Sequence, residues 1–239
     1  MPEAGHPSIS VIVPVWHEPD LASRLGDLWQ HGPGEVIVVD GDPAGSSLAG
    51  LESSRYRTLI SPRPGRGPQL RAGAEAAQGE ILLFLHADTQ LPARALAAIS
   101  NLLQSRPELA GGAFDLGIDS PRPIYRLIES ISSRRSRLTR LPYGDQALFL
   151  RRSVYEAIGG FPDEPLMEDV GICQRLKRKG YPIGFLPQRV LTSARRWEKE
   201  GILGCTLRNW SILGLYLLGM PPAKLVRVYG KSEQLTVNS

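Results

Sequence analysis

Cysteines and long apolar segments are scarce in this chain of 239 residues. The two cysteines, Cys173 and Cys205, are far apart and lack the spacing of metal ligands, so we expect two reduced thiols. No apolar run reaches the ~20 residues that span a bilayer. The first ten residues lack the basic and apolar regions of a signal peptide. These absences predict a cytoplasmic protein that is not integral to a membrane.

A large excess of one charge is also missing. The formal net charge is +4, which suits anionic ligands or an anionic membrane surface. Basic residues do not alternate with aromatic ones along any one segment, so we expect no nucleic-acid partner. Hydrophobic residues make up 42% and charged residues 22% of the chain, which excludes a disordered protein and allows an α/β domain with a substantial core.

The first half of the chain alternates between apolar strands and helices. The predicted strands are 9–15, 35–39, 56–60 and 80–85. The predicted helices are one with Leu21, Leu25 and Leu28 on one face, a second at 67–79 and a third at 92–105. Asp20 could cap the first helix, and Gly79 could close the second. This alternation predicts a parallel sheet with helical crossovers.

The second half of the chain is less regular. Its predicted strands are 111–118 and 146–152, and its predicted helices are 123–138, 168–180 and an apolar C-terminal helix within 201–222. We find no internal repeat and no low-complexity linker. The sequence therefore predicts one α/β domain, with a mostly parallel central sheet flanked by helices and a C-terminal helical extension.

Acidic residues follow two of the predicted strands. Asp40 ends the second strand, and His86 and Asp88 follow the fourth. Ligands of open parallel sheets bind at the carboxyl ends of the strands, and a carboxylate there can hold a divalent cation and, through it, a pyrophosphate. Capping of the next turn explains Asp88 about equally well, and a structural role is the simpler reading of His86.

A second acidic pair, Glu168 and Asp169, begins a predicted helix. Acids at this position offset the helix macrodipole, which is reason enough for their presence. A helix start at the edge of a pocket is also a suitable place for a general base. The preceding segment AIGGFPDEPLM adds a constrained Gly-Gly-Phe turn and favours the second interpretation.

Five segments in series resemble family 2 glycosyltransferases with the GT-A fold. They are SVIVPVWHE, VIVVDGD, GRGPQLRAGAEAAQGEILLFLHADT, GGF followed by EDVGICQRLKRKG, and RRW, running in the expected order from about residue 8 to 197. The length and the segment YGDQALFLRRSVYEAIGGF resemble short bacterial members associated with arsenosugar biosynthesis. The resemblance implies a GT-A domain at 1–200, with a nucleotide-sugar half at about 8–105 and an acceptor half at about 106–200. A C-terminal helix and tail at 201–239 would pack on this domain.

The resemblance also implies residue roles. The donor-binding residues would be Pro14, Val15, Glu18, Asp40, Arg71, His86, Asp88 and Arg196. Asp40 would bond the base, Arg71 would approach the nucleotide or its phosphates, and Asp88 would ligate Mg²⁺ or Mn²⁺. Asp169 would be the catalytic base, and Glu168 would orient it. Asp145 and Trp197 would lie on the acceptor side, although a turn residue is an equally good reading of Asp145.

The sequence departs from the family pattern at four places. His86 replaces the usual first aspartate of the Asp-x-Asp motif, which puts metal affinity in question. The segment GDPAGSS replaces the usual Gly-Ser-x-Asp, and His17 replaces asparagine. Ser193 stands where processive relatives have glutamine, which argues against processive synthesis.

The implied reaction transfers a sugar from a nucleoside-diphosphate sugar to an acceptor hydroxyl, with inversion at the anomeric carbon. The acceptor, either a small molecule or lipid-linked, is not named by the sequence. The arginines of 132–142 could meet an anionic acceptor or form a solvated helix face. The C-terminal helix could pack on the domain, form a homodimer or make a peripheral contact with the inner face of the membrane.

Two other functions remain open from the sequence. A sugar-1-phosphate nucleotidyltransferase also begins with Rossmann-like strands, but its glycine-rich signature after the first strand is replaced here by PVWHEPD. A catalytically silent protein that binds sugar nucleotides or a lipid surface is favoured by His86.

Overall fold

The computed structural model describes residues 7–18, 21–52, 54–63, 65–164 and 166–226. Asp20, the predicted helix cap, lies outside the described residues. The strands are β1 (Ile9–Val15), β2 (Glu35–Asp40), β3 (Arg57–Ile60), β4 (Ile81–Phe84), β5 (Thr89–Gln90), β6 (Gly111–Asp119), β7 (Phe149–Arg151) and β8 (Ile183–Ser193). The helices are α1 (Leu21–Gly26), α2 (Arg66–Ala76), α3 (Ala95–Ser105), α4 (Pro123–Thr139), α5 (Arg152–Ala157), α6 (Glu168–Arg178), α7 (Arg195–Glu200) and α8 (Ile202–Leu217). Short 3₁₀ helices cover Asp27–His31, Ser46–Leu48 and Gly144–Gln146.

The eight strands form one mixed sheet in the order β3-β2-β1-β4-β7-β6-β8-β5. The four predicted strands of the first half, β1 to β4, pair in parallel, as predicted. The sheet turns antiparallel where β7 joins β4 to β6, while β6 and β8 pair in parallel. The α/β class and the single domain are therefore confirmed, and the sheet is mixed.

Two apolar layers cover the two faces of the sheet. Every residue of β1 is buried, because parallel neighbours pair with both of its edges and side chains cover both of its faces. One core cluster contains α1 and α3, and the other contains α2 and α6. A Cβ at Gly73 would overlap Ile12 Cγ2, so this glycine lets α2 pack directly against β1.

Several predicted boundaries differ from the structure. The second helix ends at Ala76, and Gly79 has another role, since a Cβ there would lie 2.5 Å from Ser10 Oγ at the start of β1. The strand predicted at 146–152 shortens to Phe149–Arg151, because 144–146 form a 3₁₀ turn. The strands β5 and β8 were not predicted, nor were the short helices α5 and α7.

The C-terminal helix predicted within 201–222 is α8, which ends at Leu217. It lies beside α7 and contributes Ile212 to the core cluster around α2 and α6. Within the described part of the chain, no helix combines the length and the apolar character needed to cross a bilayer.

Candidate active site

A cavity of about 560 Å³ opens at the carboxyl ends of β1 and β4. Loops and helix starts from both halves of the chain line it, including the start of α2, the 3₁₀ turn, the start of α6, the end of β8, α7 and α8. Ten of the twelve predicted site residues lie in its wall: Pro14, Val15, Glu18, His86, Asp88, Asp145, Glu168, Asp169, Arg196 and Trp197. The fold thus brings distant sequence segments together at the edge where a parallel sheet binds ligands.

Asp40 does not line the cavity. Its side chain is fully buried, and its two carboxylate oxygens accept hydrogen bonds from the backbone N–H groups of Asp42 and Ser47, both at 2.9 Å. These bonds fold the loop after β2 back onto the strand end. The observed contacts of Asp40 are therefore those of a loop anchor, and its predicted contact with the donor base stays a prediction.

Arg71 also lies outside the cavity wall, and Arg66 takes its place. Arg71 pairs with Glu75 at 3.3 Å and donates to the carbonyl of Phe161. Arg66 is the first residue of α2 and lines the cavity, with Nη1 3.8 Å from Glu168 Oε1. The predicted Arg71 lies on the helix that follows the glycine-rich RPGRG segment, whereas the arginine that faces the cavity lies inside that segment.

Glu168 and Asp169 occupy the first turn of α6 at the cavity wall. Asp169 Oδ2 accepts the N–H of Gly144 and Oδ1 accepts the N–H of Val170, each at 2.7 Å. Burial raises the pKa of Asp169, against the opposing effect of these two N–H groups. Burial and the negative charge of Asp169 raise the pKa of Glu168. The pair thus has one rigidly held carboxylate and one that resists ionisation.

His86 packs against the turn that holds Asp169. A Cβ at Gly144 would lie 2.5 Å from His86 Nε2, so only glycine fits between the imidazole and the 3₁₀ turn. Burial, with the positive charges of Arg66 and Arg196, lowers the pKa of His86 well below its usual value. A neutral imidazole thus stands where the family pattern has a carboxylate.

Asp145 is another acid on the same wall. Its Oδ1 is buried and has no hydrogen-bond partner among the described residues. Burial and the charges of Asp169 and Asp88 raise its pKa to about 6, against the opposing effect of Arg135 and Arg196. If Asp145 only stabilised the turn, this oxygen would accept a hydrogen bond within it. The oxygen is instead available to a ligand hydroxyl or a cation.

The wall between Asp145 and α4 is aromatic and cationic. The guanidinium of Arg135 lies 3.7 Å from the centroid of the Tyr143 ring. The Tyr143 hydroxyl is buried, and burial raises its pKa to about 12, against the opposing effect of Arg135. Tyr143 therefore lines the cavity as a neutral side chain.

Residues beyond the predicted set complete the cavity. Gln69 Nε2 donates to the carbonyls of Val15 and Val39, which ties the ends of β1 and β2 together. Trp16 is 51% exposed at the rim. Arg195 Nη2 lies 3.5 Å from Glu18 Oε1 and links α7 to the loop after β1. Gln69 and Arg195 were not predicted, because their contacts join residues far apart in the chain, and Trp16 was not singled out within the segment SVIVPVWHE.

The acids of the described residues do not form a closed metal site by themselves. Among the described residues, no three His, Cys, Asp or Glu side chains are arranged to hold a metal ion. Asp88 is half-buried in the wall, and its charge, with that of Asp169, raises the pKa of Asp145. Concentrated negative charge of this kind fits a divalent cation that takes its remaining oxygens from a ligand and from water.

Comparison with known proteins agrees with this geometry. The sequence model described as "Glycosyl transferase family 2" matches residues 10–161. The structure resembles that of the mannosyltransferase PcManGT from Pyrobaculum calidifontis, solved in complex with GDP-Man and Mn²⁺. The TM-score is 0.60 at 19% sequence identity, over 98% of this chain and 70% of that one. No curated protein sequence matches the chain. At this identity the structural likeness establishes the GT-A fold, and the match to the sequence model over more than half of the chain establishes that this protein belongs to glycosyl transferase family 2 and is a glycosyltransferase.

Proposed function

We propose that the protein transfers a sugar, with inversion, from a nucleoside-diphosphate sugar to an acceptor hydroxyl, using Asp169 as general base and a divalent cation bound by Asp88. One observation carries the proposal: Asp88 and Asp169 lie in the wall of the same cavity. Both halves, at about 8–105 and 106–200, contribute to that wall; they are assigned to the donor and the acceptor, apart from Arg196, which the second half contributes to the donor side.

The donor diphosphate is assigned to the side of the cavity with Asp88, Arg66 and Arg196. Two guanidinium groups suit a diphosphate, because charge-assisted bonds to phosphate are short and strong. Pro14, Val15 and Glu18 line the adjacent end of β1 and are assigned to the nucleoside. GDP-Man bound to the structurally similar mannosyltransferase supports a nucleotide sugar as donor.

A divalent cation, Mg²⁺ or Mn²⁺, would neutralise charge that develops on the leaving diphosphate. Asp88 would hold it together with phosphate oxygens and water, since the described residues offer no closed set of three ligands. Mn²⁺ in the complex of the mannosyltransferase supports this assignment. Cation affinity should accordingly be weak without the donor.

Asp169 is assigned to the acceptor hydroxyl. Its carboxylate is fixed by two backbone N–H groups, and its raised pKa strengthens it as a proton acceptor. As the acceptor oxygen bonds to the anomeric carbon, its proton moves to Asp169, and the bond to the diphosphate oxygen breaks on the opposite face. Asp145, with its unsatisfied oxygen, and Trp197 are assigned to acceptor binding.

The test is an assay of candidate donors with and without Mn²⁺. A family 2 glycosyltransferase with this site releases nucleoside diphosphate from one sugar nucleotide, in a cation-dependent manner. Release of pyrophosphate from a nucleoside triphosphate would instead show a nucleotidyltransferase, and binding without any turnover would show a silent binding protein. Acceptors related to arsenosugars belong in the panel, because the narrower resemblance to that subgroup stays a prediction.

A further inference from the structure

In the helix α4, polar residues face the protein interior and apolar residues face outward, which is the reverse of an ordinary surface helix. Its buried face carries the polar residues Glu129, Ser133 and Ser136 beside Tyr125. Its outward face carries four large apolar side chains: Ile124, Leu127, Ile131 and Leu138, exposed by 40%, 55%, 38% and 86%. At 3.6 residues per turn these four lie within an arc of about 60°. They form an apolar stripe on the outside of the protein, with Arg134 and Arg135 between Ile131 and Leu138.

The buried polar face has a clear role in the fold. Ser133 Oγ accepts the N–H of Leu116, and Glu129 Oε1 accepts the N–H of Ile118, so α4 satisfies backbone donors of β6. Glu129 also pairs with Arg189 at 3.0 Å. None of these contacts uses the outward stripe. The stripe therefore has no explanation in the packing of the described residues.

The helix α8 presents a second apolar stripe. Leu203, Leu207, Trp210 and Leu217 recur on one face of α8 and are exposed by 75%, 61%, 45% and 50%. A small core cluster of Tyr125, Ile128, Trp197 and Ile202 connects α4, α7 and α8. The two stripes therefore belong to helices that pack against one another through α7.

Charge distinguishes this surface from the rest of the protein. Residues 121–140 contain six arginines and one glutamate, which gives this segment a net charge of +5, while the whole chain has +4. The remainder of the chain is thus slightly acidic. Five of the six arginines are exposed: Arg122, Arg126, Arg134, Arg137 and Arg140. An apolar stripe flanked by arginines is the pattern of a helix that lies in the interface of an anionic bilayer.

We propose that the outward faces of α4 and α8 bind the surface of an anionic lipid bilayer, and that the acceptor is carried by a lipid in that surface. The second part rests on the proposed function. Trp197, Asn209 and Ile212 line the cavity, so the same helices that bear or join the stripes also form its acceptor wall. Docking through α4 and α8 would hold that wall close to the lipid headgroups.

A second copy of this chain is the other candidate occupant, and charge disfavours it. A twofold contact places the same patch of each copy against its counterpart. The arginines of 121–140 would then face one another, which opposes association. An anionic membrane complements the same charges.

Vesicle flotation tests the membrane surface without requiring catalysis. We expect the protein to float with vesicles of equal parts phosphatidylcholine and phosphatidylglycerol at low salt, and at least ~10-fold less with phosphatidylcholine alone. The double variant Leu127→Ser/Ile131→Ser and the double variant Leu203→Ser/Leu207→Ser should each lose ~10-fold or more. Arg134→Glu should weaken flotation with the anionic vesicles only.

Matched controls are available on β3 and before α3. Ile60 is as exposed as the stripe residues, and Arg94 is an exposed arginine outside 121–140. Ile60→Ser and Arg94→Glu should float like the parent. If they lose binding equally, or if the stripe variants keep it, the assigned surface is wrong. Failure of the parent to float overturns the proposal, as does a parent dimer in sedimentation that the stripe variants dissociate.

The donor assay separates this proposal from the proposed function. In solution without vesicles, the stripe variants should release nucleoside diphosphate at the parental rate, because none of the substituted residues lines the cavity. Adding anionic vesicles that contain extracted bacterial lipids should raise turnover of the parent several-fold and leave that of the stripe variants unchanged. If the parent turns over the donor but does not respond to the vesicles, the proposed glycosyltransferase activity stands and the lipid-borne acceptor is wrong.

Discussion

The carboxyl ends of β2 and β4 lie on either side of β1; Asp40 is the last residue of β2, and Asp88 follows β4. Asp40 at the end of β2 is fully buried and accepts two backbone N–H groups of its own loop. Asp88 after β4 is half-buried and lines the cavity. At the same end of the sheet, one aspartate thus anchors a loop and the other lines a cavity.

The difference comes from the segment that follows each strand. After β2 the chain turns back at once, so that the N–H groups of Asp42 and Ser47 surround the carboxylate. After β4 the chain runs on into β5, which pairs with the end of β8 beside the cavity. Asp169 combines both situations, because two backbone N–H groups hold its carboxylate while it also lines the cavity. Substitutions at these three aspartates test whether burial or access decides their roles.

The largest effect is expected at Asp169. Asp169→Asn keeps the shape and removes the proton acceptor, so turnover should fall by ~10²-fold or more while donor affinity stays nearly unchanged. The rate of nucleoside diphosphate release and calorimetry with the donor measure the two quantities. Near-parental turnover together with a lower melting temperature would make Asp169 a second loop anchor like Asp40.

Asp88→Asn should abolish the stabilisation that Mn²⁺ adds to nucleoside diphosphate binding. A ligand at 100 times its Kd stabilises by about 2.7 kcal/mol. For a protein of this size that corresponds to a shift of ~5–10 °C in melting temperature. Thermal unfolding with nucleoside diphosphate, with and without Mn²⁺, measures this shift in melting temperature. A variant that still responds to Mn²⁺ like the parent would remove Asp88 from the cation site.

Asp40→Asn should act on stability instead. The amide can accept one of the two N–H groups, and the buried donor left without a partner costs about 1–3 kcal/mol. Chemical denaturation measures this loss, and the Mn²⁺ response of the ligand-bound variant should persist. A fully stable variant with a selective loss of nucleoside affinity would instead support the predicted contact between Asp40 and the donor base.

Much of the first half could be predicted from the sequence, because its strands are continuous apolar runs buried on both faces. The strand β8 was missed for the opposite reason. Pro187, Gln188 and Arg189 are exposed in its middle, where a register shift relative to β6 interrupts the pairing, so no apolar run marks it. The inverted helix α4 shows that periodicity reveals an apolar face but not the side to which that face turns.

The site residues also divide into those that a sequence pattern marks and those that only the fold brings to the cavity. Motif resemblance found ten residues of the cavity wall, because its acids fall at strand ends and at a helix start. Arg66 was not among the predicted residues, because only the packing of α2 on β1 places this first residue of α2 at the cavity wall. Tyr143 and Arg135 were not predicted because their stacking joins α4 to the 3₁₀ turn.

The smallest effect is expected from Glu168→Gln. The raised pKa of Asp169 means that turnover should fall as pH drops through a value above that of an ordinary aspartate, since a base works only when deprotonated. The charged groups that act on Asp169 from neighbouring elements are Arg66, Arg135, Asp145 and Glu168 itself. Because burial and the charge of Asp169 raise the pKa of Glu168, glutamine resembles the protonated form that this environment favours. The pH profile of kcat/KM should therefore keep its acidic limb within about half a unit, and turnover should fall by less than ~10-fold. A loss of ~10²-fold in Glu168→Gln, with a milder loss in Asp169→Asn, would exchange the two roles and make Glu168 the base.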